Sequence, residues 1–330
     1  MRAEQPHGEP VSGRLLADVG GTHARFAWQA TAGAPLHEPR VYPVADHASL
    51  GDAVAAYLGE VGRSVTAAAI AIATPVTGDE VRMTNHRWAF SQQALRQRFG
   101  WRHLRVLNDF TALARALPDL APADLQQVGG DVAEAHAPLA LLGAGTGLGV
   151  SGLVPDGFGG WLPLAGEGGH VTWAAVSPRE RLVFDVLARQ YGHVSAERVA
   201  SGQGLVDVFM ALCAVDRVVV QPGFTARAVS DAALQQGHPQ ALETLDLFAA
   251  TLGRVAGDLA LTLGARGGVY LGGGIVPRLG SWFVGSPFRA QFESKGRFAS
   301  YLSRIPVWVI TADPSPALQG AARALDGLSC

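Results

Sequence analysis

The chain has 330 residues, 48% hydrophobic and 16% charged, which supplies apolar material for more than one core and argues against disorder. Its 26 basic and 28 acidic residues leave a formal charge of -2, so there is no basic field to hold nucleic acid or an anionic membrane surface. The two cysteines, Cys213 and Cys330, are too few for a disulfide framework or a thiolate zinc cage, and they suit a reducing cytoplasm.

Met1 to Gly13 is polar, contains prolines and lacks the apolar stretch of a signal peptide, so it reads as a disordered extension. Leu15 to Val19 is an apolar run that enters Gly20-Gly21-Thr22 and is followed by Ala24 to Trp28, a pattern of two strands around a tight glycine turn. Ala67 to Ala73 predicts a further strand, stopped by Thr74-Pro75. Ser91 is placed to cap a helix over Gln92 to Phe99 that ends at Gly100. Leu104 to Leu107 predicts a buried strand that delivers Asn108-Asp109 to the start of a helix over Phe110 to Ala116. The proline- and glycine-containing stretch Leu117 to Ala137 is the candidate crossing between two domains.

Leu139 to Leu142 then repeats the opening pattern: an apolar strand, the turn Gly143-Ala144-Gly145-Thr146-Gly147, and a second strand Gly149 to Val154. Helical patterns follow at Pro178 to Tyr191, Leu205 to Val215 and Ala241 to Leu263. Val269 to Leu271 is a strand running into Gly272-Gly273-Gly274, and Val307 to Ile310 a last strand before a helix near Ala317 to Leu325. The uncharged window Ala137 to Pro155 meets a crude length criterion for a membrane span. It holds five glycines, each costing about 1 kcal/mol in a helix interior, so the strand–turn–strand reading is preferred and no membrane association is expected.

Glycine turns after strands suit phosphates, because backbone N–H groups converge on an anion with no Cβ in the way. One such turn carries little weight; two, each containing Gly-Thr after a buried strand, carry more. Other nucleotide designs are absent. The only lysine, Lys295, is not in a P-loop motif, and Gly143, Gly145, Gly147 and Gly149 alternate instead of taking the G-x-G-x-x-G spacing. There is also no G-x-S-x-G elbow. In Asp18-x-Gly-Gly-Thr the carboxylate of Asp18 is positioned to hold Mg²⁺, directly or through water, while Thr22 and neighbouring N–H groups contact phosphate. Ala144 is expected where Asp18 stands in the first turn, so that only one half supplies a metal carboxylate.

Seven motifs in order carry a resemblance to bacterial ATP-dependent glucokinases of the actin–hexokinase superfamily. They are Asp18 to Thr22, Met83-Thr84-Asn85-His86, Asn108-Asp109-Phe110-Thr111, Gly143 to Gly149, Gly166-Glu167-Gly168-Gly169-His170, Gly192 to Arg198 and Gly272 to Arg278. The likeness runs from about Leu15 to the C-terminus. It implies an α/β, two-domain actin/hexokinase-like (ribonuclease H-like) fold with a cleft between a small and a large domain. The small domain would comprise residues 14–118 completed by 311–330, and the large domain 119–310.

The resemblance further implies ATP-dependent phosphorylation of D-glucose to glucose 6-phosphate. Asp109 would be the general base, joined by Asn108, Glu167, His170 and Glu197 in binding glucose. Asp18, Val19, Gly20, Gly21 and Thr22 would bind ATP phosphates, with Gly145, Thr146 and Gly147 assisting and Gly273 and Gly274 near the adenosine. ATP and Mg²⁺ are the implied cofactors, the cytoplasm the location, and a homodimer the suggested assembly. A sugar's hydroxyls each donate and accept, so a site of carboxylates, an amide and an imidazole is chemically apt. An aspartate is ionised at neutral pH, and in a loose phosphoryl-transfer transition state its orientation matters more than early proton removal.

Plainer roles fit some of the same residues. Asn108-Asp109 also suits a helix cap, His170 a satisfied core histidine, and Glu197 an ion pair with Arg198 or Arg189. His170 with His193 lacks a third spaced ligand for a metal site. His23, Ala165 and Gln203 depart from the family's usual Asn, Pro and Pro, and no cysteine-rich zinc motif is present. Kinases of other hexoses, such as mannose or fructose, and a sugar-independent actin-like ATPase are the alternatives.

Overall fold

The apolar run Gly13–Val19 forms strand β1, and the glycine turn after it folds β2 (His23–Gln29) back in antiparallel register, with Val19 opposite Ala24. In this computed structural model residues 13–84, 86–220 and 223–326 are described. The disordered extension expected over Met1 to Gly13 therefore lies outside them except for Gly13, which opens β1; Asn85 and Cys330 also lie outside. Contacts divide the chain into two compact units, Met1–Leu120 with Asp313–Cys330, and Ala121–Ala312.

The first unit continues with β3 (Leu36–Pro43), α1 (Leu50–Val61), β4 (Val65–Ile72), a small ribbon of β5 (Glu80–Arg82) and β6 (Ala89–Ser91), α2 (Gln92–Phe99), β7 (His103–Asn108) and α3 (Asp109–Ala116). Its main sheet has the order β3-β2-β1-β4-β7, antiparallel through the first three strands and parallel from β1 to β4 to β7. Ser49 caps α1 by accepting from the Asp52 N–H, and left-handed Gly62 ends it. Ser91 caps α2 in the same way, and left-handed Gly100 closes it. One face of the sheet buries Phe26, Tyr57, Ile70 and Trp88.

The second unit contains β8 (Leu125–Gln127), β9 (Leu139–Ala144), β10 (Leu148–Pro155), β11 (Trp161–Gly166), α4 (Pro178–Tyr191), α5 (Gly202–Val215), α6 (Ala226–Gln236), the long α7 (Pro239–Leu263) and β12 (Gly268–Gly272). Four short helices follow, α8 (Ile275–Leu279), α9 (Ser281–Val284), α10 (Phe288–Glu293) and α11 (Ala299–Leu302), and then β13 (Val307–Ile310). Its sheet runs β11-β10-β9-β12-β13-β8. β9 to β11 form antiparallel pairs, and β12 and β13 continue in parallel from β9. Apart from β8, this is the connectivity and strand direction of the first sheet. Two such sheets, one per unit, give the α/β ribonuclease H-like repeat expected of an actin/hexokinase-like chain. The stretch Leu117 to Ala137 contains β8, so part of it is a strand of the second unit.

Pairing along the hairpins corrects one expectation. β1 ends at Val19 and β9 at Ala144, so counting back from the strand ends puts Gly143, not Ala144, in the place of Asp18. The asymmetry survives, since neither residue carries a carboxylate.

α12 (Ala317–Arg323) belongs to the first unit and packs on α3. Contact is so close that a Cβ on Gly320 would stand 1.7 Å from the Ala112 carbonyl oxygen. Gly320→Ala is expected to force α12 off α3 and lower stability by about 1–3 kcal/mol, the usual cost of overpacking. Urea denaturation should show a reduced midpoint with an unchanged slope.

Candidate active site

In the first unit the parallel register aligns the ends of three strands. Val19 of β1 pairs with Ile72 of β4, and Ile72 with Asn108 of β7, so the three form one row across the sheet. At about 4.8 Å per strand the row is about 10 Å long from Val19 to Asn108. Asp18 lies one residue before this row and Asp109 one after it. The first glycine turn and the candidate base thus sit at the carboxyl ends of two parallel strands separated by β4, where open α/β sheets bind their ligands.

The turn is tied down by its backbone. The Gly20 N–H donates to the His23 carbonyl (2.9 Å), Ala73 N–H to the Val19 carbonyl (3.0 Å) and Val44 N–H to the Thr22 carbonyl (2.9 Å). The Thr22 hydroxyl lies 3.1 Å from His23 Nδ1, so the residue that departs from the family's usual Asn touches the turn directly. Asp18 is only 9% exposed, and its Oδ2 accepts from Arg25 Nη1 at 3.3 Å. Burial pushes its carboxyl above the usual range, and the Arg25 charge pulls the other way without cancelling it.

Asn108 is the N-cap of α3. Its Oδ1 accepts from the N–H groups of Phe110 (2.9 Å) and Thr111 (3.2 Å), and its Nδ2 donates to the Thr74 carbonyl at 3.5 Å. Asp109 is the first residue of the helix, and its Oδ1 accepts from the Phe110 N–H at 2.9 Å. The plain capping role therefore falls to Asn108, and it orients the start of the helix that carries Asp109. Thr74 was not singled out by the sequence reading. It anchors Asn108 while its hydroxyl donates to the Arg82 carbonyl and meets Thr84, and its signal was the Thr-Pro stop at the end of an apolar run.

The second unit gathers the other candidates around its own turn. Gly145 N–H donates to the Gly147 carbonyl, and Gly202 N–H, at the start of α5, donates to the Gly145 carbonyl, both at 2.8 Å. Glu197 Oε2 accepts from the Leu148 N–H at 2.8 Å, just past the exposed Thr146 and the half-buried Gly147. A Cβ on Gly147 would fall 2.4 Å from that oxygen, so glycine is needed for the carboxylate to reach the turn. Among the described residues Glu197 makes no ion pair with Arg198 or Arg189; Arg198 stacks on Tyr191 instead. Gly273, at φ +80°, has the Ala144 carbonyl where a Cβ would be, which fastens the Gly273-Gly274 segment to the end of β9.

Glu167 caps and His170 ends one 3₁₀ turn (Gly168–His170) after β11, and both are exposed, so His170 is not a core histidine. Ala196 N–H to the Val171 carbonyl (2.8 Å) and Trp173 N–H to the Val194 carbonyl (2.9 Å) join this segment to the one bearing Glu197. The glycines between Glu167 and His170 serve packing. A Cβ on Gly169 would lie 2.0 Å from the Leu148 carbonyl and one on Gly168 2.8 Å from Val150, so they admit β10 and not a ligand. Gly166 has open space around its Cα.

So the first unit brings together Asp18 to Thr22, Asn108 and Asp109. The second brings together Gly145 to Gly147, Glu167, His170, Glu197, Gly273 and Gly274. No group of three or more His, Cys, Asp or Glu side chains among the described residues is arranged to hold a metal, and no described helix is long and apolar enough to cross a membrane.

A family model described as Glucokinase matches residues 15–328. The Glucokinase of Aromatoleum aromaticum is 52% identical over 320 residues, 95% of this chain and 94% of that protein. The Bifunctional protein glk of Burkholderia pseudomallei is 49% identical over 94% of this chain, which spans about half (48%) of that longer relative. Among solved structures, a glucokinase from an Antarctic psychrotroph superimposes with a TM-score of 0.84 at 34% identity, over 96% of this chain and 99% of that one. With the repeated sheet, the two glycine turns and these matches in place, the chain belongs to the Glucokinase family.

Proposed function

We propose that the chain catalyses ATP + D-glucose → ADP + glucose 6-phosphate, with Asp109 as the general base. The observation that supports this reading is the row Val19–Ile72–Asn108, in which the glycine turn after β1 and the capped helix start at Asp109 lie at strand ends with β4 between them. The sugar hydroxyl oxygen forms the new bond to the γ-phosphorus as the bond to ADP breaks, and its proton passes to the Asp109 carboxylate. Asn108, Glu167, His170 and Glu197 supply donors and acceptors for the remaining hydroxyls, which orients the reacting one.

The two turns bind the nucleotide's phosphates through backbone N–H groups, and Gly273-Gly274 lies on the adenosine side. Mg²⁺ enters with ATP as the true substrate, and bound there it offsets charge on the phosphate oxygens. One buried carboxylate, Asp18, suits it, because Mg²⁺ keeps several waters and takes only one or two carboxylates beside phosphate oxygens. The cytoplasm is the compartment in which this reaction fits, and a homodimer is the assembly the family resemblance suggests.

Asp109→Ala is expected to fold and to bind glucose in calorimetry while its turnover falls by about 10²–10⁴, the range for a lost general base. Turnover close to that of the unaltered protein would remove Asp109 from the mechanism. A panel of hexoses in a coupled ADP assay should favour glucose, whereas ADP release without any sugar would point to a plain ATPase.

Asp18→Asn separates stability from catalysis. Because burial raises the Asp18 carboxyl's pKa, the stability it contributes when protonated is present at low pH and is lost as pH rises through the raised value. The neutral amide avoids that loss, so the unliganded variant should melt at or above the unaltered protein at neutral pH. Its kcat/KM for ATP should nevertheless fall at least ~100-fold, or about 2.7 kcal/mol, as expected when a metal-nucleotide contact is lost.

A further inference from the structure

A cavity of about 390 Å³ opens in the first unit against the outer strand β7. It is lined by Arg105, Val106 and Leu107 of β7, Thr111 and Arg115 of α3, and Arg323 with Ala324 at the end of α12. Three arginines around one cavity repel one another unless their charge is balanced. Arg323 is balanced: its Nε and Nη2 donate to the two carboxylate oxygens of Asp119 at 2.7 Å each, and Nη1 lies 3.5 Å from Asp326. Arg105 and Arg115 are not. Among the described residues neither bonds to a carboxylate, and Arg115 Nε is buried with no hydrogen-bond partner at all.

A buried, unpaired donor on a charged guanidinium costs more than a neutral one, because the Nε of the half-buried Arg115 has given up water and gained no partner. Burial and the facing Arg105 charge both make the protonated Arg115 less favourable than usual, in line with the geometry. The chain therefore holds two positive forks at a solvent-open cavity without an anion of its own among the described residues.

We propose that this pocket binds a phosphate group, free or carried by a small phosphorylated metabolite, between Arg105 and Arg115. A phosphate dianion matches the two uncompensated charges, and its tetrahedral oxygens can accept from two guanidinium forks at once. Thr111 stands on the same wall with a hydroxyl. The inference is independent of the proposed reaction, since none of these residues is assigned to it.

The test is calorimetry and thermal unfolding at matched ionic strength with inorganic phosphate in one arm and glycerol 3-phosphate in the other, on the full chain, Arg105→Met and Arg115→Met. Phosphate is expected to raise the unfolding midpoint of the unaltered protein, and each substitution to weaken binding at least ~10-fold, the size of one lost charge-assisted hydrogen bond. Without phosphate, Arg115→Met should melt at or above the unaltered protein, which an arginine serving only to hold the fold would not do. Tighter binding of glycerol 3-phosphate assigns the site to a phosphorylated metabolite, and equal or weaker binding to free phosphate. No response in the unaltered protein, or the same response in all three, overturns the proposal. Arg105 is exposed, so its substitution keeps the test valid if Arg115→Met fails to fold.

Discussion

The parallel hydrogen bonding of β1 to β4 and β4 to β7 is the constraint on which the candidate chemistry depends. Register in a parallel sheet is a backbone property, and a slip of one residue would turn every side chain to the opposite face. Here it holds Val19, Ile72 and Asn108 in line, so Asp18 and Asp109 occupy the flanking positions by construction. Strands buried on both faces make that register costly to lose: Leu15, Leu16, Ala17, Ala69, Ile70 and Ala71 are all fully buried. Asp109 follows the half-buried β7, so its position rests on the pairing of β7 with the buried β4 and on the Asn108 cap that starts its helix.

The second unit repeats the sheet but uses it differently. Where the first hairpin carries Asp18, the second carries Gly143, and close packing replaces charge. Gly147 admits Glu197 to the turn, Gly168 and Gly169 admit β10, and Gly273 admits the end of β9. Each of these glycines lets one segment approach another's backbone, so the side chains left to project, Glu167, His170 and Glu197, are held by what lies behind them. One scaffold thus yields an electrostatic turn in one unit and a steric one in the other.

Much of this was legible in the sequence, and the parts that were not have physical reasons. Both glycine hairpins, the strand ahead of Asn108-Asp109 and the Ser91 cap follow from apolar runs with clear stops, and α4 matches its reading over Pro178–Tyr191. The strands β3 and β11 were missed because each contains proline and alternates poorly: Pro39 and Pro43 in one, Pro163 in the other. Proline is tolerated there because both are the outer strands of their sheets, where an N–H need not join a ladder. Helices α1 and α6 did carry readable signals, Ser49 with Gly62 and Thr225 with Gly237, at their two ends. The role of Gly168 and Gly169 in admitting β10 was not legible for another reason. Sequence shows that a Cβ is absent but not which neighbour fills the space.

A folded chain normally satisfies its buried polar groups, so the exceptions mark where stability has been traded for something else. Arg115 Nε is such an exception, whereas Asp18 in the same unit, of opposite charge, is bonded but has its charged form disfavoured by burial. Asp18 keeps a partner in Arg25 and is destabilised only by burial, an arrangement that an incoming cation relieves by adding charge on the open side. Arg115 has no acceptor for its Nε and faces a like charge in Arg105, so burial and repulsion act together, and only an anion relieves both. A ligand that binds the folded state and not the unfolded chain would recover the stability that each of these groups costs. On this physical ground the orphaned arginine, like the buried aspartate, is read as a place prepared for a ligand and not as a flaw in packing.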